Sequence, residues 1–176
     1  MPIIHNLELF TDSSKNEKKE LIDKNILSDN EILYKDCEYS VLKYNKHFVD
    51  GSEYDIEKIG KYRSVVYKND QLLAFSPPKS WNLQTFMSKY LSKECYAEEI
   101  VEGTMINLFY DKDIQNWEIA TKSTFSANTT FYVNNESKTN NKTFRRLFFD
   151  VCKTIKFDYT KMRRFFIIIN KKQLRK

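Results

Sequence analysis

The side chains of this chain with the capacity for chemistry are cations rather than nucleophiles or metal ligands. Arg63, Lys79 and Lys122 stand singly in strand-like or Pro-flanked text, and from Lys161 to Lys176 seven basic residues occur without an acid. Basic side chains attract polyanions by displacing the counterions of a phosphate backbone. The formal net charge of +5 is a mild excess, so where the cations sit decides more than their sum. Taken alone, Arg63 and Lys122 also read as solvated strand residues, and Lys79 beside Trp81 as a surface cation on an aromatic edge. His5 and His47 have no partner at catalytic or ligand spacing. Cys37, Cys95 and Cys152 are odd in number and far apart, without a C-x-x-C pair. They point to reduced thiols, with neither a disulfide framework nor a metal site.

The elements that would position these cations follow from periodicity. Residues 12 to 25 are polar with a stripe of Leu21, Ile22 and Ile26, which suits a short amphipathic helix. Ser28-Asp-Asn-Glu31 has the form of a capping box, and a strand is expected near 38 to 44, with a loop at Asp50-Gly-Ser52. Arg63-Ser-Val-Val-Tyr67 and Leu72-Leu-Ala-Phe75 form a hairpin through Lys68-Asn-Asp-Gln71, ended by Pro77 and Pro78. Ser80 to Lys93 carries Trp81, Leu83, Phe86, Met87, Tyr90 and Leu91 at helical spacing, which predicts a short helix packing on the sheet. A second hairpin joins Thr104–Tyr110 to Trp117–Thr121 through the polar stretch 111 to 116. Residues 134 to 143 read as a flexible loop. Phe144, Leu147, Phe148, Val151, Cys152 and Ile155 then give the strongest helical period in the chain, a face for docking on a sheet. From Lys161 the text reads as an apolar strand with basic flanks, as a nucleic-acid-binding tail, or as a stretch that a frameshift or early stop has put in place of an original continuation.

Length and composition bound the rest. At 176 residues, with 41% hydrophobic and 15% aromatic content, the chain is expected to form one domain over 1 to 160 with a basic tail over 161 to 176, and to bury a core without disulfides. No apolar run approaches the length that crosses a bilayer, and no secretory leader is seen. The expectation is an intracellular protein with no membrane contact, in a host-cell cytoplasm or a virion.

Four segments carry a family likeness: Arg63-Ser-Val-Val, then Phe75-Ser-Pro-Pro-Lys79-Ser-Trp-Asn, then Val101-Glu-Gly-Thr-Met-Ile, and Trp117-Glu-Ile-Ala-Thr-Lys122-Ser. In this order they resemble the first half of the adenylation domain of RNA ligases of the phage and giant-virus type, within the covalent nucleotidyltransferase superfamily. The resemblance implies an α+β fold with antiparallel sheets and flanking helices, curtailed at its C-terminal side. It implies ATP and Mg²⁺ as cofactors and RNA or a nucleotide as partner. It aligns Ile100-Val-Glu-Gly-Thr104 with the Lys-x-Asp-Gly motif, so that Glu102 matches the aspartate and Gly103 the glycine. Ile100 then stands at the position of the attacking lysine. An isoleucine has no lone pair to attack phosphorus, so the expectation is a degenerate, non-adenylating relative with no catalytic residue. Arg63, Lys79, Glu102, Gly103 and Lys122 would retain weak contact with phosphate groups. An active ATP-dependent RNA ligase or capping-type enzyme with an unusual nucleophile or a partner chain, and a structural or interaction protein on the same scaffold, are the alternatives.

Overall fold

The computed structural model describes residues 10, 15–49, 57–90, 99, 102–130 and 142–161, and the backbone of 165–170. Helix α1 (Lys15–Asp23) precedes four strands, β1 (Leu27–Tyr34), β2 (Cys37–Tyr44), β3 (Val65–Lys68) and β4 (Gln71–Phe75). A short helix α2 (Leu83–Lys89) leads to the hairpin β5 (Gly103–Asp111) and β6 (Asn116–Thr121), followed by helix α3 (Phe144–Thr154) and strand β7 (Phe165–Asn170). β1 to β4 form one antiparallel sheet in chain order, and a second antiparallel sheet runs β6-β5-β7. The architecture is therefore α+β with antiparallel sheets and flanking helices.

Strand alternation explains how the layers stack. On β2, Leu42 and Tyr44 point to one face and join Leu21, Leu27, Tyr62, Val65 and Tyr67 in a core beneath α1. Tyr39 and Val41 point to the other face and meet Val66, Phe109, Ala120 and Phe125 between the sheets. On the far side of the second sheet, Ile106, Leu108 and Ile119 pack against Phe144, Phe148 and Cys152 of α3. The order is thus helix, sheet, sheet, helix. Each fully buried core side chain contributes about 1.5–3 kcal/mol from leaving water, and the rings of Tyr39 and Phe125, stacked at 4.0 Å, bind the two sheets at their centre.

Most expected elements are present, with instructive differences. The β3–β4 turn narrows to Asn69 and Asp70, both at positive φ, because a two-residue turn of this hand matches strand twist. Lys35 and Asp36 do the same between β1 and β2. Residues 28 to 31 do not cap a helix; they lie inside β1, paired through the register Ser28↔Lys43 to Glu31↔Ser40. The α2 segment is a helix, capped by Asn82 Oδ1 accepting from the Thr85 N–H at 2.8 Å, but none of its residues is buried. Leu83, Met87 and Tyr90 face solvent rather than a sheet. The stretch after Lys161 contains β7, which pairs with β5 from Gly103↔Asn170 to Leu108↔Phe165. The expected loop at 50–52, and residues 134–141 of the one expected over 134 to 143, lie outside the described residues. Among those described, no helix is long and apolar enough to cross a membrane.

Candidate functional site

The site is built where the inter-sheet rows run out into solvent. On β2 the inward row Tyr39, Val41 continues to Lys43; on β6 the inward row Glu118, Ala120 continues to Lys122, just past the strand end. The same alternation that buries the aromatic and aliphatic members therefore brings two ammonium groups to one rim. Arg63 reaches this rim from the lead-in to β3, and Lys46 from the 3₁₀ turn after β2.

A buried polar network fixes the lead-in. The Ser64 hydroxyl donates to the Thr121 carbonyl at 3.3 Å, the Asn107 amide donates to the Ser64 oxygen at 3.2 Å, and the Ser76 hydroxyl donates to the Asn107 carbonyl oxygen at 3.2 Å. The Ser76 N–H donates to the Ser64 carbonyl at 2.8 Å. Ser64, Ser76 and Asn107 are essentially inaccessible to water, so each would be costly to leave unpaired. On the other side of Lys122, the Asn30 amide donates to the Ser123 carbonyl at 2.6 Å. Arg63 and Lys122 are each one residue from such an anchor, which sets their backbones relative to one another.

The electrostatics of the rim are one-sided. Burial is the largest influence on the Lys122 ammonium and pushes its pKa below the usual lysine range; the charges of Lys46, Arg63 and Lys43 push it the same way. Its Nζ stands 5.0 Å from the centre of the Tyr44 ring, a cation–π contact. The Tyr44 phenol is raised by burial, with Arg63 pulling in the opposite direction. Among the described residues no carboxylate forms an ion pair with Lys43, Lys46, Arg63 or Lys122. Among the described residues the charges acting on Lys122 are all positive, an arrangement that an oxyanion would relieve.

The remaining expected site residues divide. Lys79 follows Pro77 and Pro78 and is held by its backbone N–H donating to the Gly60 carbonyl at 3.0 Å; it is not among the charges acting on Lys122. Glu102 and Gly103 are exposed at the entrance to β5, and no hydrogen bond or ion pair among the described residues joins them to Arg63 or Lys122. Ile100 lies outside the described residues. The structure therefore brings together Arg63 and Lys122 and adds Lys43, Lys46 and Tyr44. The signal for Lys43 was present in the sequence, since a lysine two residues beyond Val41 continues the core face of its strand.

Two other charge clusters are internally satisfied. Asp111 accepts from the Tyr39 hydroxyl at 2.5 Å, from Lys68 Nζ at 3.2 Å on both oxygens, and from the Asp113 N–H at 2.9 Å. Burial alone would raise the Asp111 carboxyl, but these donors hold it below the usual carboxylate range. Glu118, inaccessible to water, accepts from Tyr34, Lys35 and Asn116 at 3.2, 3.3 and 2.9 Å and from Arg145 at 2.7 Å. These clusters bind the sheets and α3 together and offer no open valence.

Among the described residues no group of three or more His, Cys, Asp or Glu side chains gathers as a metal set. The rim itself supplies ammonium, guanidinium and phenol groups, which fit phosphate oxygens and do not fit Mg²⁺ ligated by the protein. No family model, curated protein or solved structure matches this chain.

Proposed function

We propose that the rim formed by Lys43, Lys46, Arg63 and Lys122 binds phosphate groups of an RNA strand or nucleotide, on an RNA-ligase-like scaffold that does not adenylate itself. The observation that carries this reading is that Lys43, Lys46 and Arg63 act on Lys122 with no ion-paired carboxylate among the described residues, and that Lys122 is held below its ordinary pKa by burial and by their charge. An arriving phosphate neutralises charge that folding has already concentrated, so the repulsion is relieved on binding. The half-exposed, one-sided rim suits a backbone contact that is indifferent to base sequence. The nucleotidyltransferase likeness rests on the segments around Arg63, Lys79, Glu102-Gly103 and Lys122, with Ile100 in place of an attacking amine.

The test is the salt dependence of binding to a fluorescent single-stranded oligoribonucleotide. Arg63→Ala and Lys122→Ala should each weaken binding and flatten the slope of log K against log salt by about 0.7 per lost phosphate contact. Equal slopes in both variants and the parent would remove the rim from the binding surface.

A second reading has one observation behind it. An amine depressed by burial and by neighbouring cations is a better nucleophile at neutral pH, which makes Lys122 the candidate for an attacking group other than residue 100. In that case neutral Nζ would attack the α-phosphorus of ATP, forming an N–P bond as pyrophosphate leaves and the amine loses a proton. Incubation with α-labelled ATP and Mg²⁺ separates the two. The primary reading expects no labelled protein, whereas label lost in Lys122→Ala would establish the second.

A further inference from the structure

The short turn that brings Lys46 to the rim also carries Phe48, which is 44% exposed. That turn, the 3₁₀ segment Lys46–Phe48, is pinned from both ends. Before it, Asn45 donates its backbone N–H to the Ile26 carbonyl at 2.9 Å, accepts from the His47 N–H on its Oδ1 at 3.3 Å, and accepts from the Phe48 N–H on its carbonyl at 3.1 Å. After it, Val49 is buried in the core beneath α1. Lys46 and Phe48 are thus held with about 4 Å of helical rise between them, and Lys46 is one of the charges that act on Lys122.

A single exposed phenylalanine needs no explanation by itself. Phe48 is set apart by what its ring lacks and by where it lies. Tyr90 and Tyr110 are about as exposed, but each rests on another ring: Tyr90 on Phe86, with centres 4.9 Å apart, and Tyr110 on Trp117, at 5.7 Å. Tyr44, the other ring at the rim, is buried and is already met by the Lys122 ammonium. Among the described residues Phe48 has neither a ring nor a cation against it, and it joins none of the three apolar cores. Its π surface is therefore open, on a fixed turn, beside cations that face no paired carboxylate.

Phosphate contacts hold a strand without sensing whether its bases are paired. An aromatic ring does sense it, because an unpaired base can stack on the ring whereas a base inside a duplex is covered by its neighbours. Resting on the reading of the rim as a phosphate site, we infer that Phe48 is a stacking platform for an unpaired base, so that the site takes single-stranded RNA in preference to a duplex. Phosphates lie along Lys46 and its neighbouring cations while the adjoining base covers the Phe48 ring. Every base has a π face, so the preference is for an unpaired base and not for a sequence.

The test compares binding of the full chain to a short fluorescent oligoribonucleotide, to an abasic strand with the same number of phosphates, and to a duplex of the same length. Phe48→Ala should weaken binding to the single strand about fivefold or more and leave its salt slope unchanged, because stacking releases no counterion. Phe48→Trp should hold the affinity, Phe48→Leu should lose as much as Phe48→Ala, and the abasic strand should bind the parent and Phe48→Ala alike. Since Phe48 belongs to no core, an unchanged urea midpoint should verify that the variants fold. Undiminished single-strand affinity in Phe48→Ala overturns the inference, as does full affinity in Phe48→Leu or a parent that binds the duplex as tightly as the single strand. Any of these results leaves the rim standing if Arg63→Ala and Lys122→Ala still flatten the slope. Unchanged slopes in those two variants with a loss in Phe48→Ala would instead remove the rim and keep the stacking contact, and a parent that binds no RNA overturns both.

Discussion

The two ends of the inter-sheet layer treat charge in opposite ways. At the β5–β6 turn end, Lys68 is surrounded by Asp111, Asp113 and Tyr39, and its side chain is almost wholly buried. At the other end, Lys122 is only partly buried and meets Lys43, Lys46 and Arg63. Burial lowers the pKa of both ammonium groups, yet Lys68 ends above its ordinary value because the carboxylates and phenol outweigh desolvation, and Lys122 ends below because its neighbours are cations. One end is a closed structural clasp. The other, among the described residues, gathers cations with no paired carboxylate, and the proposed anion site rests on that difference.

The largest effect should come from opening the clasp. Lys68→Ala leaves the Asp111 carboxylate buried without its cation, and loss of one partner from such a pair costs about 3–5 kcal/mol. Urea unfolding should show this as a lower midpoint with an unchanged slope; a shift no larger than that of a surface lysine would mean that the clasp is not formed. Glu118→Ala should cost less, about 1–3 kcal/mol, because Arg145 and Lys35 are partly exposed and can turn to water.

The pH response sharpens the contrast. Asp111 has its folded pKa depressed, so its contribution to stability is present above the unfolded value of about 3.9 and is lost as pH falls through the folded pKa. Asp111→Asn should flatten the acid limb of a stability profile. Lys122 is also depressed, but for a lysine the sign reverses: the folded state holds the proton less tightly, so its penalty is full below the folded pKa and fades as pH rises toward the unfolded lysine value. The raised pKa of Lys68 costs parent and variant alike on the alkaline side, so the Lys122 contribution should appear as a difference: the stability of the parent relative to Lys122→Met should rise as pH rises. At neutral pH, Lys122→Ala should change stability least of all, within about 0.5 kcal/mol, while still weakening RNA binding.

Local pattern revealed much of this fold and little of its interior charge. The α3 face was readable because Phe144, Phe148 and Cys152 repeat at helical spacing, and both later hairpins because apolar runs flank polar turns. β1 was hidden by its own text: Leu-Ser-Asp-Asn-Glu-Ile-Leu-Tyr alternates poorly, sits at a sheet edge, and turns through Lys35-Asp36 rather than through glycine. α2 shows the reverse error, since helical spacing of apolar residues does not guarantee a surface to pack on. Lys68 reads as a polar turn residue, and only the approach of Asp111 from the second sheet converts it into a buried cation. The meeting of Arg63 and Lys122 was suggested by family likeness alone; the cross-sheet bond from Ser64 to Thr121 that sets it is a tertiary fact. Lys46 and Tyr44 carried no signal of their own.

The most direct measurement is the pKa of Lys122, followed by the ¹³C resonance of its ε-carbon with and without a short single-stranded RNA. The account predicts a value below that of an ordinary lysine in the free protein, and a rise on RNA addition as phosphate neutralises the charges of Lys43, Lys46 and Arg63. A titration curve unmoved by saturating RNA would contradict it.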